Sequence, residues 1–195
     1  MKKTQKNVIF RTPRFDVIKH DFYDNFNRAN ELYYLDKKNS VLIVAISGDK
    51  LIIIENYRDI IQKQGYELPG GRIEKEDFSA IDAAKRELFE ETGLMSDKWC
   101  FLGKTYPLPS VTNEAVFIFH AEISENLSHE KWNTKGEDGL LRILTIPICN
   151  AITAIRNNEF TSSVDAYAII LYLMTKKEDA NGKFFTKTDN YDNTV

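Results

Sequence analysis

The chain has few cysteines, no excess of positive charge and no long apolar run, and each of these absences excludes a class of protein. Its 195 residues include two cysteines, Cys100 and Cys149, which show no disulfide or metal-binding spacing and so favour a reducing cytoplasm. The net charge of -3 argues against a nucleic-acid surface, which usually carries a basic patch. No apolar run is long enough for a membrane span, and too few apolar residues follow the N-terminal lysines for a signal peptide.

Apolar residues make up 43% of the chain, an ordinary share for a globular protein. The length predicts one domain with a small appendage, and no internal repeat or low-complexity block interrupts it. The informative features are therefore local motifs.

The most informative segment runs from Glu67 to Leu94 and joins the turn Pro69-Gly70-Gly71 to a helix. Glu87, Glu90 and Glu91 are spaced so that they share one face of that helix, where like charges repel. A divalent cation would convert the repulsion into ligation, and hard oxygen ligands suit Mg²⁺ or Mn²⁺. The segment therefore predicts metal-assisted chemistry on a phosphate compound, with a solvated acidic helix as the alternative.

The limits of this helix can be read from the sequence. Ser79 with Asp82 predicts its start, and Gly93 predicts its end because a left-handed conformation costs glycine least. Arg86 precedes Glu90 by one helical turn, so the two side chains can pair.

This segment resembles the motif of the Nudix hydrolase family. The run Arg86-Glu-Leu-Phe-Glu-Glu-Thr-Gly-Leu94 matches the second half of the family motif throughout. The first half departs from it, because five residues separate Gly71 from Asp77, and eight more separate Asp77 from Arg86. Counting from Gly70 gives Glu76 followed by nine, so either reading makes the loop before the helix longer than the family pattern.

The resemblance implies a site that binds divalent ions, with Mg²⁺ as the expected cofactor and Mn²⁺ as the alternative. Glu87 and Glu91 are the first ligand candidates, Glu90 is the next, and the carbonyl of Gly70 matches a main-chain ligand of related enzymes. Arg86 is expected to orient a glutamate. Arg86 and Glu90 are thus counted with the catalytic residues.

The order of motifs around this segment resembles the ADP-ribose pyrophosphatase branch of the family. Tyr57-Arg58 follows an apolar run, a polar loop comes next, and Glu67-Leu-Pro-Gly then leads to the helix. Arg58 is expected to bind a substrate phosphate, because a guanidinium can make bidentate contacts to it. Glu67, Pro109 and Glu114 are the other substrate-site candidates, Pro109 because a proline sixteen residues after the motif glycine marks this branch.

The polar stretch between Ile123 and Leu140 is expected to supply the general base. Glu137 is the first candidate by resemblance, Glu130 and Asp138 are its rivals, and Trp132 could stack on a base or anchor the loop. Acidic residues in polar loops are commonly just solvated. His120 lies within an apolar run and is expected to be a hydrogen-bonded sheet residue, not a ligand.

The expected fold class is α/β: a Nudix fold with a mixed β-sheet sandwiched between helices and a small N-terminal antiparallel sheet. Residues 1–40 would form that dimerisation sheet, 41–177 the hydrolase domain and 178–195 a polar tail. By resemblance a homodimer is expected. The following aromatic residues are candidates for base stacking, although sheet packing is favoured for each: Phe10, Phe15, Tyr33 and Tyr34.

The implied activity is Mg²⁺-dependent hydrolysis of a nucleoside diphosphate sugar, with ADP-ribose split into AMP and ribose 5-phosphate as the first candidate. Another nucleotide sugar, FAD or an oxidised nucleotide would use the same chemistry. A non-catalytic module that binds ADP-ribose is the alternative from another class. No nucleic-acid or membrane partner is expected.

Overall fold

The computed structural model describes residues 4–124 and 142–179. Within these ranges the chain forms ten strands and three helices. The strands are β1 Gln5–Arg11, β2 Asp16–Tyr23, β3 Ala29–Asp36, β4 Ser40–Ser47, β5 Lys50–Arg58, β6 Lys63–Glu67, β7 Gly70–Arg72, β8 Lys98–Thr105, β9 Val116–Glu122 and β10 Arg142–Pro147. The helices are α1 Ala80–Thr92, α2 Ile148–Arg156 and α3 Ser163–Asp179.

Two sheets organise the described residues. Strands β1, β2 and β3 form a three-stranded antiparallel sheet, which confirms the small N-terminal antiparallel sheet expected from the sequence. The larger sheet has the order β10-β5-β4-β9-β8, with β6 added to β5 and β7 to β4. It is mixed, because β4 runs parallel to β9 and antiparallel to β5.

The helices cover both faces of the larger sheet. One core cluster packs Ala83, Ala84 and Leu88 of α1 against strand residues such as Ile43. The other cluster packs α2 and α3 against the opposite face, where Val44 is fully buried. Because neighbouring strand residues face opposite sides, the unbroken apolar run Val41–Ile46 feeds both cores. The predicted sheet sandwiched between helices is confirmed.

The helix limits expected from the sequence are also confirmed. Ser79 is the N-cap of α1, and its hydroxyl accepts a hydrogen bond from the Asp82 amide at 3.3 Å. Gly93 closes α1 with φ of 68° and donates to the Phe89 carbonyl. None of the helices within the described ranges combines the length and apolar character that crossing a membrane requires.

Candidate active site

The acidic face of α1 lies against the turn that contains Gly70 and Gly71. Strand β7 pairs with β4, placing Gly70 opposite Leu42 and Gly71 opposite Val41. A Cβ atom on Gly71 would lie 2.5 Å from Cδ and Oε1 of Glu87, so this carboxylate occupies the space that a side chain would need. The backbone amide of Gly70 donates to Glu91 Oε2 at 2.8 Å. The glycine turn and the helix glutamates, which are distant in sequence, are thus in direct contact.

Arg86 connects the acidic groups on this side of the helix. Its Nη1 donates to Glu87 Oε1 and to Glu90 Oε2, each at 2.9 Å. The Nε and Nη2 groups donate to both carboxylate oxygens of Asp77 at 3.0 and 2.9 Å, and Nη2 also donates to the Arg72 carbonyl at 2.9 Å. Arg86 is therefore hydrogen-bonded to two helix glutamates, and its role as an orienting residue in catalysis stays a prediction.

The position of Asp77 bears on the ambiguous first half of the motif. Its side chain is 5% exposed and accepts hydrogen bonds from the Arg86 guanidinium and from the Glu74 amide. The Arg86 hydrogen bonds hold the pKa of Asp77 below its usual value. Counting from Gly71 to Asp77 therefore identifies the acid that meets Arg86, and the shorter aspartate side chain still makes the bidentate pair.

Two of the helix glutamates are in surroundings that disfavour their charge. Burial raises the pKa of Glu87 above its ordinary value, although Arg86 opposes the shift. Burial also raises the pKa of Glu91 to about 8, and the charges of Glu87 and Glu67 add to the effect, while the Gly70 amide opposes it. Glu90 is the most exposed of the three, with 55% of its side chain accessible. A cation at Glu87 and Glu91 would relieve the repulsion between them.

The carboxylates at this site could supply only part of the ligands of a metal ion. Across residues 4–124 and 142–179, no group of three or more His, Cys, Asp and Glu side chains is already arranged to enclose a metal ion. Mg²⁺ typically takes only one or two carboxylates and keeps waters and substrate phosphates as its other ligands. Glu87 and Glu91 beside a glycine backbone fit that pattern.

A second polar cluster lies on the other side of Leu68-Pro69. Arg58, at the end of β5, donates to Glu67 at the end of β6 through Nε at 2.6 Å and Nη2 at 2.5 Å. Glu67 also accepts from Asn56 Nδ2 at 3.3 Å and from Thr161 Oγ1 at 2.8 Å. Burial by itself would raise the pKa of Glu67, but the Arg58 and Thr161 hydrogen bonds outweigh it and the net direction is downward.

The other two substrate-site candidates lie in the segment between β8 and β9. Pro109 belongs to a loop that docks on the small sheet, where the Leu35 amide donates to the Val111 carbonyl at 2.8 Å. Glu114 is 9% exposed and accepts hydrogen bonds from Lys37 and from Ser40 Oγ. These partners give Glu114 a structural task at the start of β4, and substrate contact by either residue stays a prediction.

The remaining candidates divide into those within and those outside the described ranges. Glu137, Glu130, Asp138 and Trp132 lie outside them. His120 Nδ1 lies 2.9 Å from the Val44 carbonyl, which confirms the expected sheet histidine. Of the aromatic candidates, Phe10 and Tyr33 are 62% and 48% exposed, whereas Phe15 and Tyr34 are half-buried.

Sequence reasoning missed two residues that touch this site. Thr161 donates to Glu67, and Asp165 Oδ1 accepts from the Leu68 amide at 2.8 Å. Both partners lie more than ninety residues away in the chain, so no local spacing could have indicated these contacts.

Comparisons with known proteins agree with this geometry. The family model described as "NUDIX domain" matches residues 36–142. An ADP-ribose pyrophosphatase of Bacillus subtilis (strain 168) is 25% identical over 177 residues, which are 90% of this chain and 94% of that protein. A methanol dehydrogenase activator of Bacillus methanolicus is 28% identical over 133 residues, which are 67% of this chain and 69% of that protein.

Among solved structures, one titled "Crystal structure of ADP compounds hydrolase" superimposes with a TM-score of 0.73. It covers 94% of this chain and 98% of its own, and at 21% identity the likeness shows the fold. The family model spans more than half of the chain. The chain therefore belongs to the Nudix hydrolase family, and its resemblance to the ADP-ribose pyrophosphatase-like branch is confirmed.

Proposed function

We propose that this enzyme is an Mg²⁺-dependent hydrolase of nucleoside diphosphate sugars, with ADP-ribose cleaved to AMP and ribose 5-phosphate. The observation that carries the proposal is the placement of two functional clusters on one short segment. The Gly70 amide donates to Glu91, and Glu67, three residues earlier, accepts two hydrogen bonds from Arg58. A metal face beside a fixed guanidinium suits a substrate with two adjacent phosphates. The Bacillus subtilis relative is named for ADP-ribose, which favours that substrate.

Glu87 and Glu91 are the proposed side-chain ligands, with Glu90 as the next and the Gly70 carbonyl as the main-chain ligand. Gly71 leaves room for the Glu87 carboxylate, and the Gly70 amide holds Glu91. Mg²⁺ bound there supplies Lewis-acid stabilisation of the diphosphate charge and assists ionisation of water.

The protein's own groups are proposed to orient the substrate and handle the proton. Arg58 contacts a diphosphate oxygen, while Glu67 fixes the plane of its guanidinium through two hydrogen bonds. Arg86 restricts the side-chain rotamers of Glu87 and Glu90 by donating a hydrogen bond to each. A loop carboxylate, with Glu137 first and Glu130 and Asp138 as rivals, takes the proton from the attacking water.

A homodimer through the N-terminal sheet is also proposed, with residues 1–40, 41–177 and 178–195 as sheet, catalytic domain and tail, acting in the cytoplasm. Several apolar side chains of the small sheet are exposed, and Phe10 at 62% is the most exposed of those on β1. Such surfaces are often interaction sites. Sedimentation analysis of the wild type and Phe10→Ser would test this, and an unchanged monomer in both would contradict it.

The test of activity is a product assay with Mg²⁺ and a panel of ADP-ribose, UDP-glucose, GDP-mannose, FAD and 8-oxo-dGTP. We expect AMP from ADP-ribose, lost in Glu91→Gln and retained in the control Glu122→Gln, whose exposed carboxylate pairs with Lys98. Hydrolysis of another compound would keep the chemistry and reject the substrate. Binding of ADP-ribose with no hydrolysis of any compound would favour the non-catalytic module.

A further inference from the structure

The segment that connects α2 to α3 follows β6 closely. We name residues 158–165 the strap, which comprises most of this connection and the first three residues of α3. The Tyr66 amide donates to the Glu159 carbonyl at 2.7 Å, and the Thr161 amide donates to the Tyr66 carbonyl at 3.1 Å. Phe160 between them is 8% exposed and meets the Tyr66 ring edge-on at 5.9 Å. The strap is therefore held to β6 by backbone pairing and by packing.

The contact is close enough to restrict the sequence of β6. A Cβ atom on Gly65 would lie 2.6 Å from the Glu159 carbonyl oxygen and 2.7 Å from Thr161 Cγ2. Lys63 adds a hydrogen bond from Nζ to the Asn158 carbonyl at 2.6 Å. Because the backbones of β6 and the strap are in such close contact, neither can shift without displacing the other.

Two polar side chains extend from the strap to the segment that carries the site. Thr161 Oγ1 donates to Glu67 Oε1, the same oxygen that accepts from Arg58 Nε. Asp165, which is 3% exposed, accepts from the Leu68 amide and anchors the far end of the strap. Thr161 therefore adds a second direction of restraint to a carboxylate that orients Arg58.

We propose that Thr161 is a positioning residue for the proposed substrate-binding arginine: it acts through Glu67 to fix the guanidinium of Arg58. This inference rests on the proposed function of Arg58. Without the hydroxyl, Glu67 can rotate about its terminal torsion, because the Asn56 contact at 3.3 Å is longer than the Thr161 contact at 2.8 Å. The Arg58 fork would then lose its fixed plane, and substrate binding would weaken while the metal face stayed intact.

The first test needs no substrate. In the ¹⁵N spectrum of the full chain, the Arg58 Nε–H signal reports its bond to Glu67. Thr161→Val keeps the size of the side chain and removes the hydroxyl, so we expect this signal to shift and broaden. Thr161→Ser should restore it. Thr175→Val should leave it unchanged, since that hydroxyl donates to the Tyr172 carbonyl within α3. An unchanged signal in Thr161→Val would overturn the proposal.

The second test is a double-mutant cycle on ADP-ribose hydrolysis. We expect Thr161→Val to raise KM about five- to tenfold with kcat nearly kept, as for the net loss of one ordinary hydrogen bond, because Thr161 acts on the substrate only indirectly. In the Arg58→Ala background the same change should leave KM unaltered, because there is no guanidinium to position. An equal rise in both backgrounds would contradict action through Arg58. If the wild type hydrolyses nothing, the proposed function fails, and the Nε–H signal alone decides the positioning role.

Discussion

Two carboxylates on either side of Leu68-Pro69 are in opposite electrostatic states. Glu67 accepts hydrogen bonds from the side chains of Arg58, Asn56 and Thr161, and these bonds lower its pKa despite burial. Glu91 receives the Gly70 amide, lies near other carboxylates, and has its pKa raised to about 8, first by burial. The satisfied carboxylate serves to position another group, whereas the poorly compensated one is suited to a ligand that brings positive charge.

The largest expected effect comes from Glu91→Gln. We expect hydrolysis to fall about 10²–10³-fold, as when one group that stabilises the transition state is removed. Without metal, the variant should be more stable than the wild type by about 1–2 kcal/mol at neutral pH. With a pKa of about 8 in the folded protein, Glu91 must take up a proton when the chain folds, and a neutral amide avoids that cost. The amide oxygen can still accept from Gly70.

Urea unfolding in EDTA, together with the product assay, checks both parts of that prediction. Glu122→Gln is the matched control, since it removes an exposed carboxylate that pairs with Lys98. A Glu91→Gln protein that is less stable than the wild type without metal would show that the carboxylate is not a source of strain.

Two glycine-to-alanine substitutions compare how the region of the helix glutamates and the region of the strap tolerate an added methyl group. In Gly71→Ala the new methyl group meets the end of the flexible Glu87 side chain, which can move. We expect little change in stability but a loss of activity of about 10–100-fold, typical of disturbing a metal site. In Gly65→Ala the methyl group meets the Glu159 carbonyl oxygen at 2.6 Å, so we expect about 1–3 kcal/mol of destabilisation.

Thermal melts and initial rates on both variants measure this difference. If Gly71→Ala kept full activity, Glu87 could not be held where the structure places it. If Gly65→Ala melted like the wild type, the strap would yield more easily than its backbone contacts indicate.

Glu67→Gln is the counterpart of Glu91→Gln, and its effect on stability should have the opposite sign. The pKa of Glu67 is lower in the folded than in the unfolded protein, so its ionised form stabilises the fold at a pH above the unfolded-state pKa. That stabilisation is lost as the pH falls through the folded-state pKa. At neutral pH we expect a loss of about 1–2 kcal/mol, because one member of a charge-assisted pair becomes neutral. The loss should shrink towards pH 4. A stabilised Glu67→Gln protein would remove the contrast.

Much of the fold was predictable because it depends on local pattern. The cap at Ser79 and the closing Gly93 predicted the limits of α1, and the apolar run before Tyr57-Arg58 coincides with β5. Strands β1, β6, β7 and β8 were not predicted individually. Of these, β6 and β7 are short and polar or glycine-rich. Their extended form depends on pairing with β5 and β4, which local propensity cannot show.

The shared face of Glu87, Glu90 and Glu91 was predictable for the same reason, because helical spacing alone brings these side chains together. Metal binding by this face stays a prediction. The choice between Asp77 and Glu76 was not, since it depends on which acid the loop turns towards Arg86. Thr161 and Asp165 were out of reach, because the contacts that they make to Glu67 and Leu68 arise only when the strap docks on β6.

The last expected effect appears only as a difference between two pH profiles, and it tests whether Asp165 is a destabilised carboxyl group like Glu91 or a well-compensated one like Glu67. Burial raises the pKa of Asp165 to about 7, and the Leu68 amide opposes the shift. The pKa of Asp165 is 3.8 in the unfolded chain and about 7 in the folded protein, so between these pH values the folded state binds one proton more. The stabilisation from protonated Asp165 is therefore lost as the pH rises.

Asp165→Asn keeps an oxygen for the Leu68 amide and removes the titration. Between pH 5 and pH 8 the free energy of unfolding should therefore fall less in this variant than in the wild type, by about 1–3 kcal/mol. Glu91 contributes a fall of the same sign in both proteins, so the difference between them isolates Asp165. Parallel pH profiles of unfolding would mean that Asp165 stays ionised in the folded protein, and the anchor would then resemble Glu67.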